Sequence, residues 1–290
     1  MLDKLVKHLS ARVHRASAVK LFTVLVYGWF LINAVLVLST KNLLWGVDNV
    51  FFRQGHTDTF IENFIYQLIY APYKANYVFY LHIAAAAASL IDRRWTFIPR
   101  IITWITALML FYSAVEAFNS GMMIMMLLAF YCSFIYTASN NPYRIVLGNL
   151  AVYACMIQIA IVYATAALYK LGGDQWLGGT ALYYSLHIDR FSSSFLRDSN
   201  VIKSQTFMAI CTYAALAYQI LFPIIVWFKK GRNWFLFIGI LFHLFIGIFM
   251  HLWDFALAMI FSYAVFMNEK TAERFTKLFT FKVRSAVKSS

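Results

Sequence analysis

Long uncharged apolar stretches alternate with short polar or basic ones along the whole chain, and the stretch that begins at Asn149 carries no charge until Lys170. These runs predict helical spans near residues 19–39, 73–91, 100–118, 121–138, 149–171, 207–228, 234–250 and 255–267, the last two being short. A hydrocarbon core of about 30 Å asks for roughly 20 apolar residues per helical crossing. Period-two alternation is not visible in the runs, which argues for helices over a membrane barrel. The expected fold is all-α: a polytopic integral membrane bundle of about eight transmembrane helices. Residues 1–267 would form one membrane domain, and residues 268–290 a basic cytoplasmic tail.

The first run, Val19 to Ser39, follows a basic segment as a secretory signal would, but it is longer than the roughly 7–15 residues of a signal core. It also offers no small-residue cleavage site, so it reads as a retained span. Its leader sets Leu2, Leu5, Val6, Leu9 and Val13 among Lys4, Lys7, Arg12 and Arg15 at helical spacing, suited to an anionic membrane face. In the tail, Phe275, Leu278 and Phe279 repeat that pattern among Lys277, Lys282 and Arg284. Membrane lipids are therefore expected partners, with a partner-docking helix as the alternative for the tail.

Composition agrees with the pattern: 62% of the 290 residues are hydrophobic and 13% charged, against roughly 45–50% and about 25% in soluble domains. The net charge of +13 does not point to nucleic acid, because the basic residues sit in short loops and at both ends, where orientation signals belong. With a cytoplasmic amino terminus, the inner segments hold Lys4, Lys7, Arg12, Arg15, Lys20, Arg93, Arg94, Arg100, Arg144, Lys229, Lys230, Arg232 and six basic residues after Met267. The outer side keeps Lys41, Arg53, Lys74, Lys170, Arg190, Arg197 and Lys203. This asymmetry predicts both termini inside. Trp45, Trp176, Trp227, Trp234 and Trp253 fall at or near run ends, as interfacial indoles would. Cys132, Cys155 and Cys211 lie inside apolar runs without a C-x-x-C pair, which disfavours a disulfide scaffold and a thiol relay.

Candidate chemistry concentrates in "ALYKLGGDQWLGGTALYY", residues 167–184. Lys170 ends the uncharged run that includes Asn149. One reading has it snorkel its ammonium to the headgroups. In the other, Gly172 and Gly173 stop the helix, Gly178 and Gly179 allow a second close turn, Asp174 bonds the turn and Trp176 anchors it. The segment then brings Tyr183, Tyr184, His187 and Asp189 to the same outer surface as a re-entrant or interfacial element. A lysine packed beneath such a lid could act as a general base.

The same stretch resembles the signature of the vitamin K-dependent carboxylase-like proteins, the horizontally transferred transmembrane domain family, in which an Ala-Gly-x-x-Lys-Leu run leads into a Trp and a Gly. "LFHLFIGIFMHLWDFALAMIFSYAVF" resembles the closing spans of that family, and "NSGMMIMMLLAF" the span after its third crossing. The chain is most similar to bacterial members of the sporulation-delaying protein B type. That resemblance implies a multi-pass plasma-membrane protein that helps mature a secreted antimicrobial peptide, with the peptide precursor and companion maturation proteins as partners. By position it implies Lys170 as the catalytic base and Asn119 as a retained pocket residue, with a reduced quinone as the cofactor such a base would serve. Gly121 stands where the family tends to have histidine, and the lumenal domain that grips carboxylase substrates is missing. Both departures weigh against carboxylation itself.

Asp174, Trp176, Tyr183, Tyr184 and His187 are the expected substrate-binding residues around Lys170. His243, His251 and Asp254 are candidates to face it across one cavity, although His251 and Asp254 would fall in the watery turn between the last two spans. His82 and His243 are haem ligands only by counting, and no metal is expected. "GMMIMM" cannot converge its thioethers and reads as packing. "AAAAAS", residues 84–89, reads as a close helix contact. Glu116 either pairs with Lys170 or reaches water. No P-loop, dinucleotide fingerprint, H-E-x-x-H or G-x-S-x-G is present. The alternative to an enzyme is a non-catalytic peptide-binding, export or immunity protein.

The charge asymmetry makes a direct prediction. Single cysteines placed at residues 190–203 should react with a membrane-impermeant maleimide in intact cells, and cysteines at 229–232 only after permeabilisation. Labelling of residues 190–203 from the cytoplasmic side alone would overturn the topology.

Overall fold

The computed structural model describes residues 9–10, 13–45, 72–91, 95–189, 192, 197 and 199–276. Of the amphipathic leader's named residues only Leu9, Val13 and Arg15 are described; its others, the tail beyond residue 276, and Arg53, Arg93, Arg94 and Arg190 lie outside the described residues. No strand occurs among the described residues. The chain divides into two compact units: Met1–Ala154 with Met267–Ser290, and Cys155–Phe266.

The first unit is built from α1 (Ala16–Val37), the short α2 (Lys41–Trp45), α3 (Pro72–Ser89), α4 (Phe97–Ser113), a 3₁₀ turn (Val115–Ala117), α5 (Ser120–Ser133) and the first half of α6 (Pro142–Leu171). α3 packs on α4 and on α1, and α5 packs on α4 and α1. Ala85, Ala86 and Ser89 are buried, so the alanine run serves close packing, as its small side chains predict. Met122, Met125 and Met126 are buried while Met123 is exposed, so the methionines point around α5 and fill gaps. His82 is buried and bonds Thr106 Oγ1 through Nδ1 at 2.9 Å, which uses the ring as a link between α3 and α4.

Helix ends in this unit are closed by side chains, some from distant sequence and one from the residue just before the helix. The first N–H groups of a helix have no intrahelical acceptor. At α1 the Glu269 carboxylate accepts from Ser17 N at 2.8 Å and Ala18 N at 3.4 Å, placing a negative charge where the helix dipole favours it. At α5 the Asn119 side chain accepts from Gly121 N at 2.8 Å as an N-cap. At the far end of α5, the Arg100 Nη1 group donates to the carbonyl of Cys132 at 3.3 Å and to that of Ile135. Its guanidinium also lies 5.5 Å from the Tyr27 ring centroid, and Tyr27 Oη donates to Ala129 O at 2.9 Å. Asn149, fully buried, accepts from His14 N at 2.8 Å and donates to Leu9 O at 2.7 Å, tying the amino-terminal segment to α6.

The second unit contains the rest of α6, then α7 (Asp174–Leu177), α8 (Ala181–Leu186), α9 (Asn200–Lys203), α10 (Gln205–Ile225), α11 (Arg232–Met250) and α12 (Trp253–Ser262), which tightens into a 3₁₀ turn at Tyr263–Phe266. α12 folds back on α11. The ring of Trp253 crosses at Gly247, where a Cβ would sit 2.8 Å from Trp253 Cε3, so glycine is needed for this close approach. His251 ends α11 with φ 56, a left-handed conformation unusual for a residue other than glycine.

Each of the eight apolar runs forms a helix, but among the described residues four helices are long and apolar enough to cross a membrane: α1, α6, α10 and α11. α4 and α5 stop at Ser113 and Ser133, short of the boundaries read from the apolar runs, and α12 with its 3₁₀ turn covers only Trp253–Phe266. At about 1.5 Å per residue these shorter helices span roughly 20–26 Å, less than a full hydrocarbon thickness. Two further expectations need correction. Trp45 is no interfacial anchor: it is 5% exposed, packs on Phe79, and donates from Nε1 to Leu110 O at 3.2 Å. Arg100 is not a loop charge but a buried closing group inside α4.

Removing Arg100 should therefore take a charge-assisted bond from Ile135 O and from Cys132 O, the latter keeping its backbone bond from Ile135 N at 3.1 Å. We expect Arg100→Gln to lower unfolding free energy by about 2 kcal/mol, measured by denaturant or thermal unfolding of the purified protein in detergent. Arg144→Gln, at an exposed guanidinium, should stay within about 0.5 kcal/mol of the parent.

Candidate functional site

The second unit shows why the apolar run ends as it does. α6 stops at Leu171, and Gly172 N and Gly173 N close its last turn on Leu168 O at 3.3 Å and Lys170 O at 3.1 Å. The chain then makes the single turn α7, closed by Gly178 N on Asp174 O at 2.7 Å. Gly179 follows with φ 72, and a Cβ there would lie 3.1 Å from Ala209 Cβ, Tyr213 Cε2 and Tyr213 Oη. Glycine at 179 thus meets two demands, the left-handed backbone and the close approach to α10. α10 holds the returning segment by two further bonds: Tyr213 Oη donates to Leu177 O at 2.8 Å, and Thr212 Oγ1 accepts from Leu182 N at 3.2 Å.

This turn swings Trp176 back over the end of α6. The Lys170 ammonium lies 4.9 Å from the Trp176 ring centroid, a cation–π contact. A Cβ at Gly173 would lie 3.4 Å from Trp176 Cδ1, an ordinary contact, so the indole's placement does not itself demand glycine there. Lys170 is half-buried, and among the described residues its Nζ has no hydrogen-bonded or carboxylate partner. An amine with unused hydrogen-bonding capacity beside an indole face fits the ring and hydroxyl of a hydroquinone.

The other expected residues divide. Asp174 is exposed at the start of α7. Tyr183 is half-buried, and its ring lies against His187 at a centroid distance of 4.2 Å. His187 Nδ1 donates to Tyr183 O at 2.7 Å, which fixes the neutral tautomer and leaves Nε2 as an acceptor at the surface. Tyr184 is exposed, and Asp189, also exposed, is ion-paired with Arg197. Asn119 and Glu116 belong to the first unit, where Asn119 caps α5.

His243 does not join His251 and Asp254. Eight residues of helix separate it from His251, about 12 Å along the axis; it is 2% exposed, whereas His251 is exposed and Asp254 half-buried in the first turn of α12. Its partners were not legible in the sequence. Nε2 meets Tyr163 Oη at 2.7 Å, Tyr163 Oη meets Tyr263 Oη, Tyr263 Oη meets Tyr218 Oη at 3.2 Å, and Tyr218 Oη donates to Phe235 O at 3.4 Å. Each hydroxyl carries one proton. A chain that ends by donating to a carbonyl therefore starts with a proton on His243 Nε2, so the neutral ring leaves Nδ1 as an acceptor. Nδ1 is buried without a hydrogen bond. Phe222 stacks on Tyr163 at 3.8 Å between ring centroids and seals the cluster. The available signal was three tyrosines inside apolar runs, where each hydroxyl must find a partner; the pairing itself is set by tertiary contacts.

Cys132 and Cys155 are buried and Cys211 half-buried, all as free thiols, and no cluster of three metal-ligating side chains occurs among the described residues. No family model matches the chain, and neither the curated proteins nor the solved structures give a match to it.

The two glycine pairs are not equivalent, and substitution should separate them. Gly179→Ala should destabilise by about 1–2 kcal/mol, from the left-handed backbone and the contact with Tyr213. Gly172→Ala, whose Cβ would meet only Tyr169 O at 3.6 Å and Leu168 O at 4.0 Å, should be tolerated. Thermal unfolding in detergent checks both, and equal behaviour of the two variants would overturn this account of the turn.

Proposed function

We propose that the chain is a multi-pass protein of the bacterial plasma membrane, with eight crossings and both termini cytoplasmic. In this reading it belongs with the carboxylase-like transmembrane proteins and serves the maturation of a secreted antimicrobial peptide. The observation that carries the chemistry is the Lys170–Trp176 clamp: a lysine at the end of a long apolar helix, covered by an indole that a glycine-rich turn folds back over it. Four helices long and apolar enough to span a bilayer, two of them wholly in the unit that holds Lys170, support the membrane setting.

In the proposed mechanism Lys170, in its neutral form, takes a proton at Nζ from an acidic group of the bound molecule. Trp176 limits water at that nitrogen, and α7 and α8 with Tyr183 and His187 form the surface that meets the peptide. A reduced quinone, when bound, would supply an ionisable phenol and reducing equivalents. A second reading is favoured by one specific feature: among the described residues Lys170 contacts an indole and no acid or histidine that would shuttle its proton. In that reading the clamp is a recognition element of a non-catalytic peptide-binding, export or immunity protein.

Lys170→Arg separates the two, because arginine keeps the charge and the indole contact but does not give up its proton. In a producing strain, Lys170→Ala and Lys170→Arg should each lower matured peptide in the medium by about 100-fold or more at unchanged membrane abundance. His251→Ala should have little effect. Mass spectrometry of the released peptide checks this, and loss of an increment of about 44 Da, the mass of carbon dioxide, would identify the step as carboxylation. Normal maturation by Lys170→Arg would overturn the base and leave the binding reading.

A further inference from the structure

A cavity of about 480 Å³ opens in the first unit where the start of α4, the end of α5 and the start of α6 converge. Arg100 and Arg144 both line it, together with the Thr96 and Ser133 hydroxyl-bearing residues, and among the described residues its lining holds no carboxylate. Lys20 lines an adjoining cleft that shares Arg100 and Ile135. Positive charge is therefore concentrated there by the described residues of the fold. Arg100 is 3% exposed; its Nη1 closes the end of α5, but its Nε is buried without a hydrogen-bond partner. A buried guanidinium N–H without an acceptor is costly, and an oxyanion is the acceptor whose geometry suits that group best.

The rim has the opposite character. Trp95 is 71% exposed, Phe97 46%, Ile98 51% and Leu147 46%, and all four line the cavity. A soluble phosphate would gain nothing from such a rim. An amphiphile would lay its chains along Phe97, Ile98 and Leu147 while its anionic head reached the guanidiniums, with Trp95 at the level where indoles sit in bilayers. We propose that this cavity is a binding site for an anionic phospholipid, held by its phosphodiester between Arg100 and Arg144. The site lies in the first unit, so it is independent of Lys170 and of the reaction assigned to it.

The test uses the full chain, purified in a neutral detergent and incubated separately with phosphatidylglycerol, phosphatidylcholine or glycerol phosphate before native mass spectrometry. Phosphatidylglycerol should be retained at least about fivefold better than phosphatidylcholine, the factor expected for one basic contact at a membrane surface. Arg144→Gln should reduce that retention about fivefold. Leu147→Trp, which fills the cavity from its exposed rim, should reduce it without touching either arginine. Because both substitutions are at exposed positions, their effect does not depend on the helix closure that Arg100 supplies. Equal retention of the two lipids, or parental retention by both variants, would overturn the proposal. Displacement of phosphatidylglycerol by an equal concentration of glycerol phosphate would also overturn it and assign the cavity to a soluble phosphate ester.

Discussion

A polar group inside an apolar chain of this kind has to be satisfied by the protein, because hydrocarbon offers no hydrogen bonds. The last carbonyls of α5 meet the guanidinium of Arg100, the first amides of α1 meet the carboxylate of Glu269, and the start of α5 meets the side chain of Asn119. Several of the polar side chains in the first unit are thus used to end helices and not to do chemistry. The Arg100 and Glu269 bonds in turn help decide where α1, α4 and α5 can cross, since each joins elements far apart in sequence, whereas the Asn119 cap is local.

The second unit obeys the same requirement with different groups. At the end of α6 the backbone is closed locally by glycines, and the charged side chain of Lys170 is covered by an aromatic face instead of an acid. Deeper in the unit, three tyrosines and His243 satisfy one another in a row and leave a single nitrogen over. These are two separate polar features, one at a helix end and one in a sealed interior, and the helical rise between them makes them distinct in depth.

The helices were largely legible in the amino-acid sequence, because uninterrupted apolar runs of this length have few other ways to satisfy their backbone. Their ends were less so. The stop at Ser133 comes from a local turn that cuts an uncharged run, while the stop at Ser113 precedes a 3₁₀ turn whose Glu116 is the one charge near it. The glycine-lysine-tryptophan turn was readable from its two glycine pairs, although only Gly178 and Gly179 stand where a Cβ would be crowded by neighbouring atoms. Trp45, His243 and Arg100 misled for a common reason. Their type suggests an interface, a ligand and a loop charge, and only the packing of α2, α11 and α4 shows Trp45 bonded inside and His243 and Arg100 buried with one nitrogen each, Nδ1 and Nε, left over. The meeting of Tyr163, Tyr218 and Tyr263 depends on helices 45 to 100 residues apart in sequence, a separation no local pattern encodes.

Gly239 sits on α11 where two of those tyrosine hydroxyls come against the helix backbone, and a Cβ there would fall 2.6 Å from Tyr263 Oη and 2.8 Å from Tyr218 Cζ. The hydroxyl row and the bare helix surface are therefore acceptable only together. Positions 218, 239 and 263 are coupled as a set, since trimming Tyr218 alone would still leave Tyr263 Oη 2.6 Å from a Cβ at 239. A side chain at 239 becomes acceptable only when both hydroxyls have left, so the three positions are expected to change together or not at all.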